Sequence, residues 1–169
     1  NNMNGNPKVL QLADPFLLFH YSFLNASSPA DSYSELTEES GVYSNWRGYA
    51  FELICMREID QIKSVLGISG VRTTHYPWVS VKRDRGAQID LLIERDDKIT
   101  DICEMKCTDR PFAISREYED TLLNKREVFI QETNTKHAVK IVMVSAAGLK
   151  GIAHTEHISQ VISMDDLFD

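Results

Sequence analysis

The sequence feature that constrains the fold most is a nearly continuous apolar run at residues 138–145, AVKIVMVS. A strand with one buried face alternates apolar and polar residues, whereas a strand covered on both faces is apolar almost throughout. The run is also much shorter than the ~20 residues that a bilayer-spanning helix needs. It therefore predicts a strand that is buried on both faces of a sheet.

The elements expected around this strand follow one order along the chain. Asp14-Pro15 favours an early helix start, because proline fits the first helical turn, and residues 25–41 are typical of a solvated linker. The later elements are a helix from Ser44 or Asn45 to a stop at Gly67, strands at 71–81 (with Pro77 at an edge or bulge), 86–95 and 99–107, a helix from its cap Ser115 to about Thr133 with Leu122 and Phe129 facing inward, and strands at 138–145 and 158–163. Helix, three strands, helix and strand is an order typical of an α/β sandwich.

Composition and charge narrow the class of protein. Apolar residues make up 43% of the chain and charged residues 25%, which excludes disordered and collagen-like classes. Three cysteines without a CxxC pair, and no secretion signal, lead us to expect a reducing, cytoplasmic location. A formal net charge of −7 disfavours a protein that coats nucleic acid, but is compatible with an enzyme that holds it locally. The first residue is Asn rather than Met, which suggests a piece of a longer protein.

The hairpin formed by the second and third strands carries the candidate chemistry. Folded around a turn centred on Asp97, it places Asp90 opposite Glu104 and Gln88 opposite Lys106, all on one face. The opposite face is expected to carry Ile89, Leu91, Ile93, Cys103 and Met105.

The two opposed carboxylates need a proton, a lysine or a metal ion, because like charges directly across a strand pair repel each other. Lys106 supplies one positive charge, and two carboxylates leave room for Mg²⁺, which prefers oxygen ligands. An ion-pair cluster without metal is an equally open interpretation. Removing either Asp90 or Glu104 is expected to relieve the repulsion and leave the fold intact.

These residues resemble a known family. Asp90 followed by Glu104-Met105-Lys106, with Glu52 on the upstream helix, resembles the PD-(D/E)XK nuclease superfamily. The strings WRGYAFE at 46–52 and GAQIDLLI at 86–93 are closer to the C-terminal domain of prokaryotic P-loop ATPases of the archaeal-ATPase type, and LADPF at 12–16 is similar to the segment that precedes that domain.

The resemblance implies a fold and a domain division. The fold would be α/β with a restriction-endonuclease-like core, a mixed central sheet flanked by helices in the order αβββαβ. Residues 42–169 would form this nuclease-like domain, and residues 1–41 would be an apolar connecting segment and polar linker.

The resemblance also implies roles and partners. Asp90 and Glu104 would bind Mg²⁺ or Mn²⁺ with help from the Met105 carbonyl, Lys106 would position or activate the attacking water, and Glu52 would be an auxiliary ligand. DNA and the ATPase module of the same parent chain are the implied partners, with no membrane; a homo-oligomer is also compatible. The sequence contains no GxxxxGK[ST] motif, so this chain cannot hydrolyse ATP by the P-loop route.

Two functions therefore stay open: a metal-dependent DNA phosphodiester hydrolase, and an inactive nuclease-derived regulatory, DNA-binding or assembly module of the ATPase. The complete Asp, Glu and Lys set favours the first, whereas net acidity and the apolar N-terminal segment favour the second. Weaker alternatives are metal binding by His154 and His157, base stacking by Trp46 and Trp78 against a simple core role, and phosphate contact by the basic turn at 82–85.

Overall fold

The computed structural model describes residues 14–24, 40–81, 86–151 and 153–168. The expected linker, apart from its last two residues, and the basic turn at 82–85 lie outside these ranges. The helices are Pro15–Phe19 (α1), Gly41–Arg57 (α2), Ile59–Val65 (α3), Arg116–Thr133 (α4) and Met164–Phe168 (α5), with a π-helical turn at His20–Leu24; the strands are Thr73–Val79 (β1), Gln88–Arg95 (β2), Ile99–Lys106 (β3), Ala138–Ser145 (β4) and Ile158–Ile162 (β5). The described residues fall into two compact units, the first ending at Leu53 and the second beginning at Ile54.

The second unit is built on a five-stranded mixed sheet in the order β1-β2-β3-β4-β5. The first three strands are antiparallel neighbours, whereas β3, β4 and β5 run parallel. A parallel pair needs a long crossover connection, and α4 supplies it between β3 and β4. The α/β class expected from the order of elements is confirmed.

Strand β3 is the middle strand of the sheet, and β4 lies next to it, between β3 and β5. The burial of β4 on both faces, which the apolar run predicts, is confirmed. Residues 141–145 of β4 are all buried, and so are residues 100–105 of β3. Side chains of successive strand residues point to opposite faces, so both faces of these two strands are covered. On one of these faces Phe129 of α4 packs with Leu92 and Ile102.

The first unit has an aromatic core of its own. Asp14 caps α1 by accepting the backbone N–H of Phe16, and Pro15 occupies the first turn, as expected. The fully buried Phe23 lies 6.1 Å, between ring centroids, from Trp46. The indole N–H of Trp46 donates to the Pro15 carbonyl at 3.3 Å. Trp46 is therefore a core residue of this unit.

The long helix expected from Ser44 or Asn45 differs from that prediction in two ways. It begins earlier, at Gly41, because the carbonyl of Ser40 accepts the Ser44 N–H at 3.0 Å and extends the helix into the supposed linker. It is also interrupted at Glu58, whose φ of −92° and ψ of 30° separate α2 from α3. The apolar period continues through this point, so the pattern carries no sign of the break. The expected stop at Gly67 is confirmed by its φ of 69°.

The pairing of β1 with β2 is interrupted opposite Pro77 by a β-bulge, whose extra residue lies in β2. Tyr76 pairs with Leu92 and Trp78 pairs with Ile89, so two residues of β2, Asp90 and Leu91, oppose Pro77 alone. Because β1 is an outer strand of the described sheet, the proline's missing N–H costs no central ladder bond. The expectation of an edge or bulge at Pro77 is confirmed.

The bulge overturns one sequence expectation about side-chain direction. Simple alternation places Ile89 on the face opposite Leu92, but Ile89 packs in one buried cluster with Leu92, Ile102 and Phe129. Because two β2 residues face a single β1 residue, the in-and-out alternation of side chains along β2 changes phase between Ile89 and Leu92. Ile89 therefore belongs to the core under α4. Trp78 packs on the same cluster, with its ring centroid 5.3 Å from that of Phe129.

The short helix α5 was not expected. Its start is fixed by Ser163, whose N–H and hydroxyl both donate to Asp166 at 2.7 Å, while the Ser163 Oγ accepts the Asp166 N–H. This reciprocal pattern is a capping box. The hydrogen bonds from Ser163 lower the pKa of Asp166. Asp166, one of the acidic residues near the end of the sequence, thus fixes the start of this helix.

Candidate functional site

The hairpin between β2 and β3 has the register expected from its turn. Leu91 pairs with Cys103 and Leu92 with Ile102. Next to these pairs, the Oδ2 atom of Asp90 accepts the backbone N–H of Met105 at 2.9 Å. Asp90 lies in the bulge, and bulges commonly redirect a side chain beside a functional site. The structure therefore brings Asp90 against the Glu104-Met105-Lys106 segment, as the sequence predicted.

Glu104 is the most heavily bonded residue of the cluster. Its side chain is 4% exposed. Oε2 accepts from Lys125 Nζ at 2.5 Å, and Oε1 accepts from the Tyr118 hydroxyl at 2.7 Å. Lys106 Nζ lies 3.3 Å from the same Oε1 atom. Both oxygens of this buried carboxylate are thus compensated by polar partners, as burial of a charge requires.

Lys106 occupies the more solvent-accessible side of the cluster. Its side chain is 33% exposed, compared with 14% for Lys125. Its Nζ lies 5.2 Å from the ring centroid of Tyr118, within the range of a cation–π contact. Lys106 therefore has access to solvent while it is held by Glu104 and the Tyr118 ring.

Burial is the main cause of the raised pKa of two groups in the cluster, Asp90 and Tyr118. Burial, followed by the negative charge of Glu104, raises the pKa of Asp90; the Met105 N–H and the charges of Lys125 and Lys106 act in the opposite direction. Burial, together with Glu104, also raises the pKa of Tyr118, so its hydroxyl remains a protonated donor. Two lysines consequently do not remove the whole cost of ionising Asp90.

Tyr118 and Lys125 reach the cluster from α4. Ser115 caps this helix, as predicted, by accepting the Tyr118 N–H at 3.2 Å. Tyr118, Leu122, Lys125 and Phe129 recur at helical spacing on one side of α4, and Leu122 and Phe129 are buried as expected. The ring of Tyr118 packs with the Leu122 cluster of the core.

Sequence reasoning missed the roles of both residues. The signal that could have found them is a lysine in the middle of the buried stripe of a helix. A buried lysine needs a partner of opposite charge, and the hairpin carries two carboxylates, Asp90 and Glu104, that could pair with it.

Glu52, the expected auxiliary ligand, is a residue of α2 in the first unit. Asp90, Glu104 and Lys106 all belong to the second unit. The auxiliary role of Glu52 stays a prediction.

The donor set suits a hard divalent cation in its chemistry. Asp90, Glu104 and the Met105 carbonyl offer oxygen ligands, and Mg²⁺ commonly binds one or two carboxylates while keeping several waters. The raised pKa of Asp90 is a physical reason for a further cation at this place. Within the described ranges there is no group of three or more His, Cys, Asp and Glu side chains that could hold a metal. A metal here would therefore rest on two carboxylates, backbone and water.

The two histidines singled out in the sequence converge on another acid. His154 Nδ1 lies 3.0 Å from one oxygen of Glu119, and His157 Nε2 lies 3.8 Å from the other. This pairing accounts for their proximity without a metal ion.

No family model, curated protein or solved structure matches the chain. Along the part of the chain that the structure covers, no helix combines the length and apolar character needed to cross a bilayer.

Proposed function

We propose that the second unit is a metal-dependent DNA phosphodiester hydrolase of the PD-(D/E)XK type. The observation that carries this proposal is the hydrogen bond that the Met105 N–H donates to the Asp90 carboxylate. It sets Asp90 beside Glu104 and Lys106, the two neighbours of Met105 in the chain. Two carboxylates and a lysine at one hairpin end are the groups that metal-assisted phosphoryl chemistry uses. The family resemblance supports the same assignment.

Each residue has a definable task in this hydrolysis. Asp90 and Glu104 would hold Mg²⁺ or Mn²⁺, which when bound lowers the pKa of water and neutralises charge on a phosphate. Lys106, one-third exposed, orients the attacking water or a phosphate oxygen from the solvent side. Tyr118 holds Glu104 in place through its hydroxyl and does not exchange a proton near neutral pH.

We also propose partners and a cellular location for this domain. Its partners would be DNA and the ATPase module of a longer parent chain, in the cytoplasm. This part rests on the resemblance of the WRGYAFE and GAQIDLLI strings to the C-terminal domain of archaeal-type ATPases.

Calorimetric titration with Mn²⁺ tests the metal site. We expect wild-type protein to bind and Asp90→Asn to lose binding, because one of two carboxylate ligands becomes neutral. The matched control is Asp60→Asn, which changes an aspartate that is 91% exposed and should bind like wild type. Binding that is equal in all three proteins would place the metal elsewhere and contradict the proposed site.

Cleavage assays on duplex, single-stranded and branched DNA test the activity itself. Wild type should cut at least one of these substrates in Mg²⁺ or Mn²⁺, and both Asp90→Asn and Lys106→Met should fail to cut it. Cleavage that survives in Lys106→Met would remove the proposed role of this lysine.

The bonding of Glu104 favours a second candidate function. Lys125, Lys106 and Tyr118 already satisfy this carboxylate, as in an ion-pair network that stabilises a domain which no longer cuts. Such a regulatory or assembly module would bind no Mn²⁺ and cleave no DNA, yet would lose stability when Glu104 is changed.

A further inference from the structure

Lys125 already neutralises one of the two carboxylates that would bind the proposed metal ion. Its ammonium group is 2.5 Å from Oε2 of Glu104, and only 14% of its side chain is exposed. A Mg²⁺ ion requires a carboxylate oxygen at about 2.0–2.1 Å. An ammonium group and a divalent ion on one oxygen repel each other strongly when water is largely excluded.

The other partners of Glu104 do not present the same conflict. Tyr118 is neutral and donates to Oε1, so it can keep the carboxylate in place while Oε2 changes partners. Lys106 is farther from Glu104, at 3.3 Å, and has more access to solvent. Lys125 is the residue that combines a short contact, a positive charge and a flexible four-carbon stem.

We propose that Lys125 is an internal counterion that neutralises Glu104 when the metal is absent and must move away from this carboxylate when the metal binds, and so sets the cation affinity of the site. This inference rests on the proposed metal-dependent function. Lys125 is a positioning residue, because its effect passes through Glu104. The same contact makes the metal-free domain stable and the metal site weak.

Calorimetric titration of the whole chain with MnCl₂ tests the proposal. Lys125→Met should bind Mn²⁺ about ten- to a hundred-fold more tightly than wild type, the equilibrium equivalent of one charge-assisted hydrogen bond. Lys125→Arg, which keeps the charge, should bind like wild type. Lys136→Met removes an equal charge from an exposed lysine and serves as the matched control.

Thermal melting with and without Mn²⁺ separates this role from a merely structural one. Lys125→Met should melt below wild type in EDTA, and Mn²⁺ should raise its Tm by more than it raises the wild-type Tm. If Lys125→Met is too unstable to titrate, Lys125→Gln keeps a neutral donor to Glu104 and should show the same gain in affinity.

Mn²⁺ binding by wild type and by the Lys125 variants distinguishes a failure of the counterion proposal from a failure of the nuclease proposal. If wild type binds Mn²⁺ in an Asp90-dependent manner but neither Lys125→Met nor Lys125→Gln binds more tightly, the counterion proposal is overturned and the nuclease proposal stands. If neither wild type nor any Lys125 variant binds Mn²⁺, both proposals fall.

Discussion

At the scale of single residues, the two acidic residues of the hairpin are not equivalent. Glu104 is almost fully buried and has charged partners on both oxygens. Asp90 is less buried, accepts a backbone N–H, and has a raised pKa caused by burial and by Glu104. Glu104 therefore acts as the structural centre of the cluster, and Asp90 is the group whose charge is least compensated.

Replacing Glu104 by Gln should destabilise the metal-free protein strongly, by about 3–5 kcal/mol, because it leaves buried lysine charge without its partner. From the hairpin alone, removing this carboxylate was expected to relieve repulsion; the contacts to Lys125 and Tyr118 reverse that expectation. Urea denaturation in EDTA gives the measurement. The control Glu127→Gln, at an exposed position of α4, should have a free energy of unfolding within about 0.5 kcal/mol of wild type.

Replacing Asp90 by Asn should give a stability difference that depends on pH. The folded protein binds the Asp90 proton more tightly than the unfolded chain does, so wild-type stability falls as pH rises from the ordinary aspartate pKa to the raised one. Asn has no such proton and can still accept the Met105 N–H. The advantage of Asp90→Asn in EDTA should therefore grow over this pH interval and then level off. A difference that is constant with pH, in urea melts at each pH, would contradict the assigned cause.

At the scale of elements, the sequence predicted what depends on local rules. Strand β4, the hairpin register and the start of α4 at Ser115 follow from apolar runs, turn position and capping chemistry. The direction of Ile89 could not be predicted, because it is set by Pro77 of the neighbouring strand.

The ion pair between Lys125 and Glu104 could not be predicted either, because it too depends on a neighbouring element. It depends on how α4 docks on the sheet, which the pattern of one helix does not contain. Local chemistry thus defines the elements, and contacts between elements complete the candidate site.

The cap of α4 can be tested apart from the site. Ser115→Ala should cost about 1 kcal/mol of stability, because the Tyr118 N–H loses its acceptor. Ser115→Asp keeps an acceptor and adds a negative charge at the helix start, so it should retain or exceed wild-type stability. Denaturant midpoints of the three proteins give the comparison. If Ser115→Ala and Ser115→Asp lose the same amount of stability, Ser115 does not act through its capping hydrogen bond.

At the scale of the whole molecule, charge determines how nucleic acid could be held. The chain carries a formal net charge of −7, so its total charge opposes the approach of a phosphate backbone. In the cluster, Asp90 and Glu104 are balanced by Lys106 and Lys125. Any attraction for DNA would therefore be local and would increase when a divalent ion adds positive charge.

DNA binding should consequently depend on a divalent cation, and it should depend on salt less steeply than the binding of a protein that contacts about six to ten phosphates. We expect a labelled duplex to bind about tenfold more tightly in Ca²⁺, which takes the same oxygen ligands, than in EDTA. Asp90→Asn should lose this difference. Contact with three or four phosphates would give a slope of about −3 in a plot of log affinity against log salt. Fluorescence anisotropy measures both quantities, and equal affinity of wild type in Ca²⁺ and EDTA would favour the inactive-module alternative.

The path of the chain through the cluster has a kinetic consequence. The two carboxylates lie on one hairpin, a contact that is short-range in sequence and forms in about 1–10 μs. Lys125 and Tyr118 on α4 contact Glu104 only after α4 has packed on the sheet and β4 has paired with β3. This step joins residues farther apart in the sequence and is slower. During folding, Asp90 and Glu104 therefore meet before the positive charge of Lys125 reaches them. Mild acidity or divalent ions present at that moment should speed the closing of the hairpin.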